Sequence, residues 1–262
     1  MQGILFPRGV VEGRKDLTEY RSGGGYNGLE KALKGMTPET LIREIDESGL
    51  RGRGGAGFPT GKKWAFTQEC SEDEPGRKKD RLLMENLPHL VIEGVILASY
   101  AVGASKAYLY INSQYKTARD SMAQALMEAQ EAGYWGEKIL GSNFSLEIVF
   151  AAAPPNYVAG EDSAALEVIE AKQPLPRQKP PFPATVGLFG KPTAVNNVET
   201  LANIPPIIAN GVKWYRSFGT PESPGTMIFS LNDEVNCPGI YELPFGSSLR
   251  SLIEECGDGV KG

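Results

Sequence analysis

At 262 residues the chain can bury a sizeable core as one large or two modest domains, and 41% hydrophobic with 23% charged residues is ordinary globular composition. A net charge of −5, with no basic patch interleaved with aromatics, argues against nucleic acid as a partner. The most apolar segment, residues 89–104, is interrupted by Glu93 and too short to span a bilayer, and the N-terminus has no basic region followed by an apolar one, so neither secretion nor direct membrane insertion is expected.

In chain order, the first thirty or so residues are polar and glycine-rich, and Gly23-Gly24-Gly25 predicts a flexible arm or loop lying across the surface. Thr37 with Pro38 forms an N-cap and first-turn pair, Leu41, Ile42 and Ile45 recur on one helical face, and Ser48-Gly49 stops that helix. The helix delivers the chain into residues 48–64, where dense glycine is combined with Arg53, Lys62 and Lys63 and with the aromatics Phe58 and Trp64. Glycines let backbone N–H groups approach anionic oxygens, the cations supply countercharge and the aromatics supply stacking faces, so the loop reads as a nucleotide or flavin-nucleotide site. Gly52, Gly54 and Gly57 satisfy G-x-G-x-x-G, but a helix rather than a strand precedes them, which disfavours a simple Rossmann turn. A P-loop is rejected because only three residues separate Gly57 from Gly61 and Lys62 is followed by Lys63 rather than Ser or Thr. A glycine-rich surface turn and a phosphate-only anion site are the competing readings of this loop.

From Pro88 the pattern predicts a helix to about Gly103, a strand over 107–111, a helix from Ser113 to about Ala132 and a strand over 146–150. That alternation indicates an α/β sheet with helices on its faces, and the second glycine element, Ala159-Gly160-Glu161-Asp162, falls at a strand end before another helix. The proline-dense segment 174–192 reads as a stiff, ordered crossing whose Arg177 and Lys179 face either the cofactor or solvent. Beyond Pro224, strands over 227–231 and 239–243 and a helix from Ser248 to Cys256 predict the β-β-α start of a second domain. The expected division is an N-terminal arm, helix and glycine-rich loop (1–60), an α/β domain (61–223) and an incomplete further domain (224–262). His89, the only histidine, is read as a packing or capping residue, and Cys70, Cys237 and Cys256 are too far apart for a disulfide framework, zinc or iron–sulfur motif, which suits a reducing cytoplasm.

The glycine loop is followed by Glu74-Pro75-Gly76, the run from Lys79-Asp80-Arg81 to Pro88-His89-Leu90, Tyr157-Val158-Ala159-Gly160-Glu161-Asp162-Ser163, Lys179-Pro180-Pro181-Phe182-Pro183-Ala184 and Val195-Asn196-Asn197-Val198-Glu199-Thr200. In these ordered blocks the chain resembles the N-terminal part of the FMN- and NADH-binding flavin subunit of respiratory complex I, a family shared with the flavin subunits of NAD-linked hydrogenases and formate dehydrogenases. The resemblance implies a Rossmann-like flavin-binding sheet with helices on both faces, followed by the start of a ubiquitin-like β-grasp domain. It implies an NADH dehydrogenase flavin module, in which hydride passes from NADH to non-covalent FMN and electrons go on to iron–sulfur centres, the flavin itself carrying the chemistry.

By the same resemblance Gly52, Arg53, Gly54, Lys63, Glu72, Gly160, Asn196, Asn197 and Thr200 hold FMN, and Phe58, Glu74, Glu161 and Asp162 receive NADH, the carboxylates disfavouring the extra phosphate of NADPH. Read from the residues alone, Asn196-Asn197 serves equally as a helix cap and Glu161-Asp162 equally as first-turn acids. No metal ligands are expected here, the family's [4Fe–4S] cluster belonging to a C-terminal region. The implied partners are iron–sulfur subunits, including a thioredoxin-like [2Fe–2S] subunit, in a complex at the cytoplasmic inner face of the membrane. Two departures stand out: Ala159 replaces a cysteine of many relatives, and the stretch from Trp64 to Glu74 is short, with Glu69 and Ser71 where an Asn and an Asp belong. The short stretch puts a central strand in question. A non-catalytic paralogue or truncated remnant, serving as a scaffold or nucleotide-binding assembly module, is the rival reading.

Overall fold

A computed structural model describes residues 3–6, 13–67, 71–73 and 78–261, with 71–73 and 78 described for their backbone alone. Two short helices come first, α1 (Leu17–Ser22), closed by a reciprocal Asp16–Glu19 capping box, and α2 (Asn27–Gly35). They are followed by α3 (Pro38–Ser48), whose N-cap Thr37 accepts the Thr40 N–H and whose C-cap Gly49 takes the left-handed conformation (φ 73°) that a β-carbon would strain. After the glycine loop come α4 (Thr60–Ala65), β1 (Ser71–Asp73), α5 (Lys78–Asn86), α6 (Pro88–Val102), β2 (Lys106–Asn112), α7 (Lys116–Glu131), β3 (Glu147–Ala153) and α8 (Asp162–Ile169). The chain then forms β4 (Ala194–Asn196), α9 (Val198–Ala202), α10 (Ile204–Asn210), α11 (Val212–Tyr215), β5 (Thr226–Leu231), β6 (Gly239–Pro244) and α12 (Leu249–Ser251), which runs into a π-helical turn at Leu252–Cys256.

β1 to β4 form one parallel sheet in the order β3-β2-β1-β4. Alternate residues of β2 enter different apolar clusters. Ala107, Leu109 and Ile111 join the main core with α6 and α7, whereas Tyr108 and Tyr110 join smaller clusters with Leu166 and Ala165 of α8. The sheet is therefore covered on both faces, as its parallel, apolar strands require. The short stretch after Trp64 does not remove the central strand: β1 is present, paired through three residues to 107–109 on one side and to 194–196 on the other. The β-β-α order expected after Pro224 is also found, β5 and β6 forming an antiparallel pair in register from Thr226 with Pro244 to Leu231 with Gly239.

The central element is α6, buried at all but one of its positions, and Gly94 lets it approach α9 so closely that a β-carbon there would collide with the Leu201 carbonyl. No single described helix is long and apolar enough to cross a membrane. The pair α5 and α6 reaches that length only across a 101° bend, and α6 lies inside the core.

The polar N-terminal region is not only a surface arm. Tyr26 and Leu29 are fully buried, and the Tyr26 ring stacks on Tyr134 at 3.8 Å between centroids. What anchors them is Glu93, the residue that interrupts the apolar run of α6. Its carboxylate accepts the backbone N–H groups of Tyr26 (2.8 Å) and Leu29 (2.9 Å) at the start of α2, and the Tyr20 hydroxyl (2.6 Å). Burial pushes the Glu93 carboxyl up from its ordinary pKa, and these hydrogen bonds oppose the rise. A second long-range carboxylate, Glu242 of β6, accepts the N–H groups of Ile4, Leu5 and Phe6 at 2.7–3.0 Å. His89 is a packing residue, its Nδ1 3.0 Å from the Tyr26 hydroxyl and its Nε2 2.9 Å from Glu128.

Glu93→Ala leaves at least two buried N–H donors without an acceptor, and a loss of about 3 kcal/mol in urea unfolding is expected. Glu93→Gln keeps an acceptor and should lose clearly less.

Candidate functional site

The glycine loop is pinned at its base like a hairpin. Arg51 bridges Pro59, Gly52 N–H donates to the Phe58 carbonyl (2.9 Å) and Thr60 N–H donates to the Leu50 carbonyl (2.9 Å), so residues 53–57 project as a rim. The rim overhangs a cleft of about 270 Å³ beside the carboxyl end of β4, where ligands of parallel sheets collect. Gly52, Gly54, Phe58, Thr60 and Lys63 line one side, Asn196, Asn197 and Thr200 the floor, and Glu161, Asp162 and Lys179 the opposite wall. A second cleft of about 630 Å³ shares Gly54, Glu161 and Asn197 with the first, and extends past Gly160 and Tyr157 to Asn112, Tyr115 and Asn156 beyond the ends of β2 and β3.

The sequence-predicted site residues divide into those that face the cleft and those that hold it. Phe58 is 51% exposed on the rim. Lys63 reaches across so that its ammonium donates to the Val195 carbonyl of β4. Arg53 turns inward instead: its guanidinium donates to the Tyr215 hydroxyl (3.1 Å), the Thr226 carbonyl (3.0 Å) and the Arg51 carbonyl (3.0 Å), and lies over the Phe245 ring. Its backbone N–H donates to the Thr200 hydroxyl (2.8 Å), which fixes the loop to α9.

The Asn196 carboxamide accepts the Trp64 indole N–H (3.1 Å). Asn197 is a helix cap, accepting the Glu199 N–H and the Lys79 ammonium and donating to Asp80 (3.0 Å). Glu199, fully buried, pairs with Lys79 (2.7 Å) and accepts the Ile228 N–H of β5 (3.0 Å).

On the opposite wall Glu161 caps α8 through the Ala164 N–H (2.9 Å), and the Lys179 ammonium bridges Glu161 (2.8 Å) and Asp162 (2.5 Å). In the proline-dense crossing Lys179 thus faces the cleft, while Arg177 is held away by Glu167 (2.6 Å) and Glu170 (2.8 Å). Burial pushes the Glu161 carboxyl up, but hydrogen bonding with Asp162, Lys179 and Ser163 outweighs it and holds its pKa at about 2. Asp162 moves the opposite way, raised by burial and by sharing a hydrogen bond with Glu161.

Glu72 is described for its backbone alone, in β1 between Tyr108 and Val195, and Glu74 lies outside the described residues. Sequence reasoning missed Thr60 and the strand-end residues Asn112 and Asn156. For the two asparagines the signal was available, since Asn112 closes β2 and Asn156 lies three residues past β3, both at the sheet's carboxyl end. Among the described residues no group of three or more His, Cys, Asp or Glu is arranged to hold a metal ion.

Residues 45–206 match a family model described as the Nuo51 FMN-binding domain. The chain is 47% identical over 254 residues to an NADH-quinone oxidoreductase subunit of Rhizobium meliloti (strain 1021), covering 93% of this chain and 60% of the relative. It is 42% identical to the corresponding NADH-quinone oxidoreductase subunit of Escherichia coli (strain K12), covering 94% of this chain and 58% of the relative. The fold superposes on a crystal structure of an NAD+-reducing [NiFe]-hydrogenase in the air-oxidized state with a TM-score of 0.80 at 34% identity, covering 95% of this chain and 44% of that one. The chain therefore spans about 60% of the length of the curated relatives it matches.

The Glu161 shift sets a pH dependence. Because its folded pKa of about 2 lies below the ordinary 4.5, its contribution to stability is complete above 4.5 and is lost as pH falls towards 2. Asp162, raised, acts with the opposite sign at higher pH. Carboxyl-carbon NMR titration should place the Glu161 midpoint near 2, and Lys179→Met should move that midpoint upward.

Proposed function

Since the chain belongs to the Nuo51 FMN-binding domain family, we propose that it is the flavin module of an NADH dehydrogenase, taking FMN and NADH into the cleft under the glycine loop. The observation that carries this reading is the meeting of that loop with the carboxyl end of β4, where side-chain-free backbone, a stacking ring and an ammonium line one space. The residues present fit FMN: Gly52 and Gly54 leave room for backbone to approach an anion, Lys63 offers countercharge, and the buried Thr60 hydroxyl has no hydrogen-bond partner among the described residues. When bound, FMN supplies the chemistry of accepting hydride from a nicotinamide and releasing electrons singly.

The protein's part is to bind, orient and exclude water. Lys63 and the rim neutralise and cradle the phosphate, and Gly160 lets the flavin lie close to the wall. Asn196 and the backbone around Asn197 orient the cofactor, while Arg53 and Thr200 hold the loop and α9 in register beneath it. Phe58 offers a face to the adenine of NADH, and Glu161 and Asp162 accept from its ribose and repel the additional phosphate of NADPH. Electrons leave to iron–sulfur subunits of a larger complex, a thioredoxin-like [2Fe–2S] subunit among them, at the inner face of the membrane.

The test is anaerobic addition of NADH to the FMN-reconstituted chain. Bleaching of the flavin absorbance is expected; uptake of FMN without bleaching would favour the scaffold role. Lys63→Ala removes a charge-assisted contact worth about 1.5–3 kcal/mol, so FMN should bind about ten- to a hundredfold more weakly. Unchanged flavin content in the purified variant would move the phosphate elsewhere.

A further inference from the structure

Away from the cleft, α1 lies as a strap against α6 and α7. None of its residues is buried, and its tethers are polar. The Lys15 N–H donates to the Asn86 carbonyl (2.9 Å), Arg14 pairs with Glu128 of α7 (2.7 Å), the Leu17 N–H donates to the same carboxylate (3.2 Å), and the Tyr20 hydroxyl donates to Glu93 of α6 (2.6 Å). Beneath the strap sits His89, 1% exposed, with the Tyr20 ring stacked on it at 5.9 Å between centroids.

The partners of the imidazole fix its protonation state. Glu128 lies 2.9 Å from Nε2 and as a carboxylate only accepts, so Nε2 carries the proton; Nδ1 then accepts from the Tyr26 hydroxyl at 3.0 Å. The neutral ring is fully satisfied. A second proton, on Nδ1, would face the Tyr26 O–H donor to donor, and the buried Tyr26 hydroxyl bonds nothing else among the described residues.

The charges around the ring do not remove this conflict. Burial pulls His89 below its ordinary pKa of 6.5, Arg14 adds to the fall, and Glu128 and Asp16 oppose it without reversing it. Tyr20, Tyr26 and Tyr134 are all pushed up and stay neutral. Burial raises Glu93, so a proton taken up there favours the folded state, whereas hydrogen bonds from His89 and Arg14 hold Glu128 below 4.5 despite its burial. Neither carboxylate therefore mimics a loss of stability that begins at 6.5.

We propose that His89 is a proton-operated catch for this strap: the neutral ring holds α1 closed over α6 and α7, and protonation releases it. With a folded value below 6.5, the closed strap takes the proton less readily than the open one. Opening is thus independent of pH above 6.5 and grows easier below it, by up to about tenfold per pH unit for one proton, until the closed form is itself protonated. The inference is independent of what the cleft binds.

His89 is the only histidine, so ring nitrogen NMR of the untagged chain reports on it alone. The neutral Nε2–H tautomer is expected at neutral pH. Hydrogen exchange read by mass spectrometry, corrected for the intrinsic rate at each pH, should show the protection of α1 falling up to about tenfold over the pH unit below 6.5 while that of α6 holds. His89→Gln, which can accept from Tyr26 and donate to Glu128 without titrating, should abolish that dependence. An Nδ1–H tautomer, protection of α1 that does not change with pH, or a wild-type pH profile in His89→Gln would each overturn the proposal. Should His89→Gln melt early, the wild-type chain decides alone, since an α1 that stays protected while the imidazole titrates overturns it equally.

Discussion

Four buried charges beneath the glycine loop hold the site together. Arg53, Lys79, Asp80 and Glu199 lie within one cluster, none of their side chains more than 10% exposed, and their formal charges cancel. Burying an ion costs several kcal/mol, a cost offset only when partners and hydrogen bonds saturate it. Here they largely do: Lys79 meets Asp80, Asn197 and Glu199, and Arg53 meets two carbonyls, a tyrosine hydroxyl and an aromatic face. Burial still pushes the Glu199 carboxyl up against the pull of Lys79, the residue of incomplete compensation. The members come from the loop, α5 and α9, and Glu199 and Arg53 bond the backbone of β5, so the cleft's rim, its floor and the β5–β6 pair share one electrostatic foundation.

The same economy governs the chain's beginning. Glu93 and Glu242 each gather backbone N–H groups from segments far away in sequence, and so allow the apolar side chains of those segments to be buried with their backbone donors satisfied. Such anchoring is invisible to pattern reading. In the sequence Glu93 looks like a flaw in an apolar run and Tyr26 like part of a polar arm, because the donor and acceptor are separated by more than sixty residues. Elements whose signals are local were legible. Thr37-Pro38 and Gly49 bound α3, and alternation and length marked β2, β3 and the buried α6.

At the site, spacing reported where backbone goes but not where side chains point. The glycine loop, the Glu161-Asp162 turn and Asn196-Asn197 do gather on one cleft, since each is a turn at an element's end. The direction of Arg53 depends on Tyr215 and Thr226, more than 160 residues away, and the sequence-level tie between Arg177 and Lys179 is broken only by where α8 places Glu167 and Glu170. Thr60 escaped notice because an unpaired hydroxyl is a fact of packing.

One of the two three-residue strands of the sheet, β1, lies in its middle. Among the described residues β2 and β3 share seven paired positions, whereas β4 is joined to the sheet through the three of β1. The ladder thus narrows to three rungs beside β4, and the end of that strand is held by side chains instead: Asn196 accepts the Trp64 indole N–H, and Asn197 meets Lys79 and Asp80. The floor of the cleft is riveted to the scaffold by these bonds more than by its sheet, and a ligand that touches both rim and floor adds a further rivet.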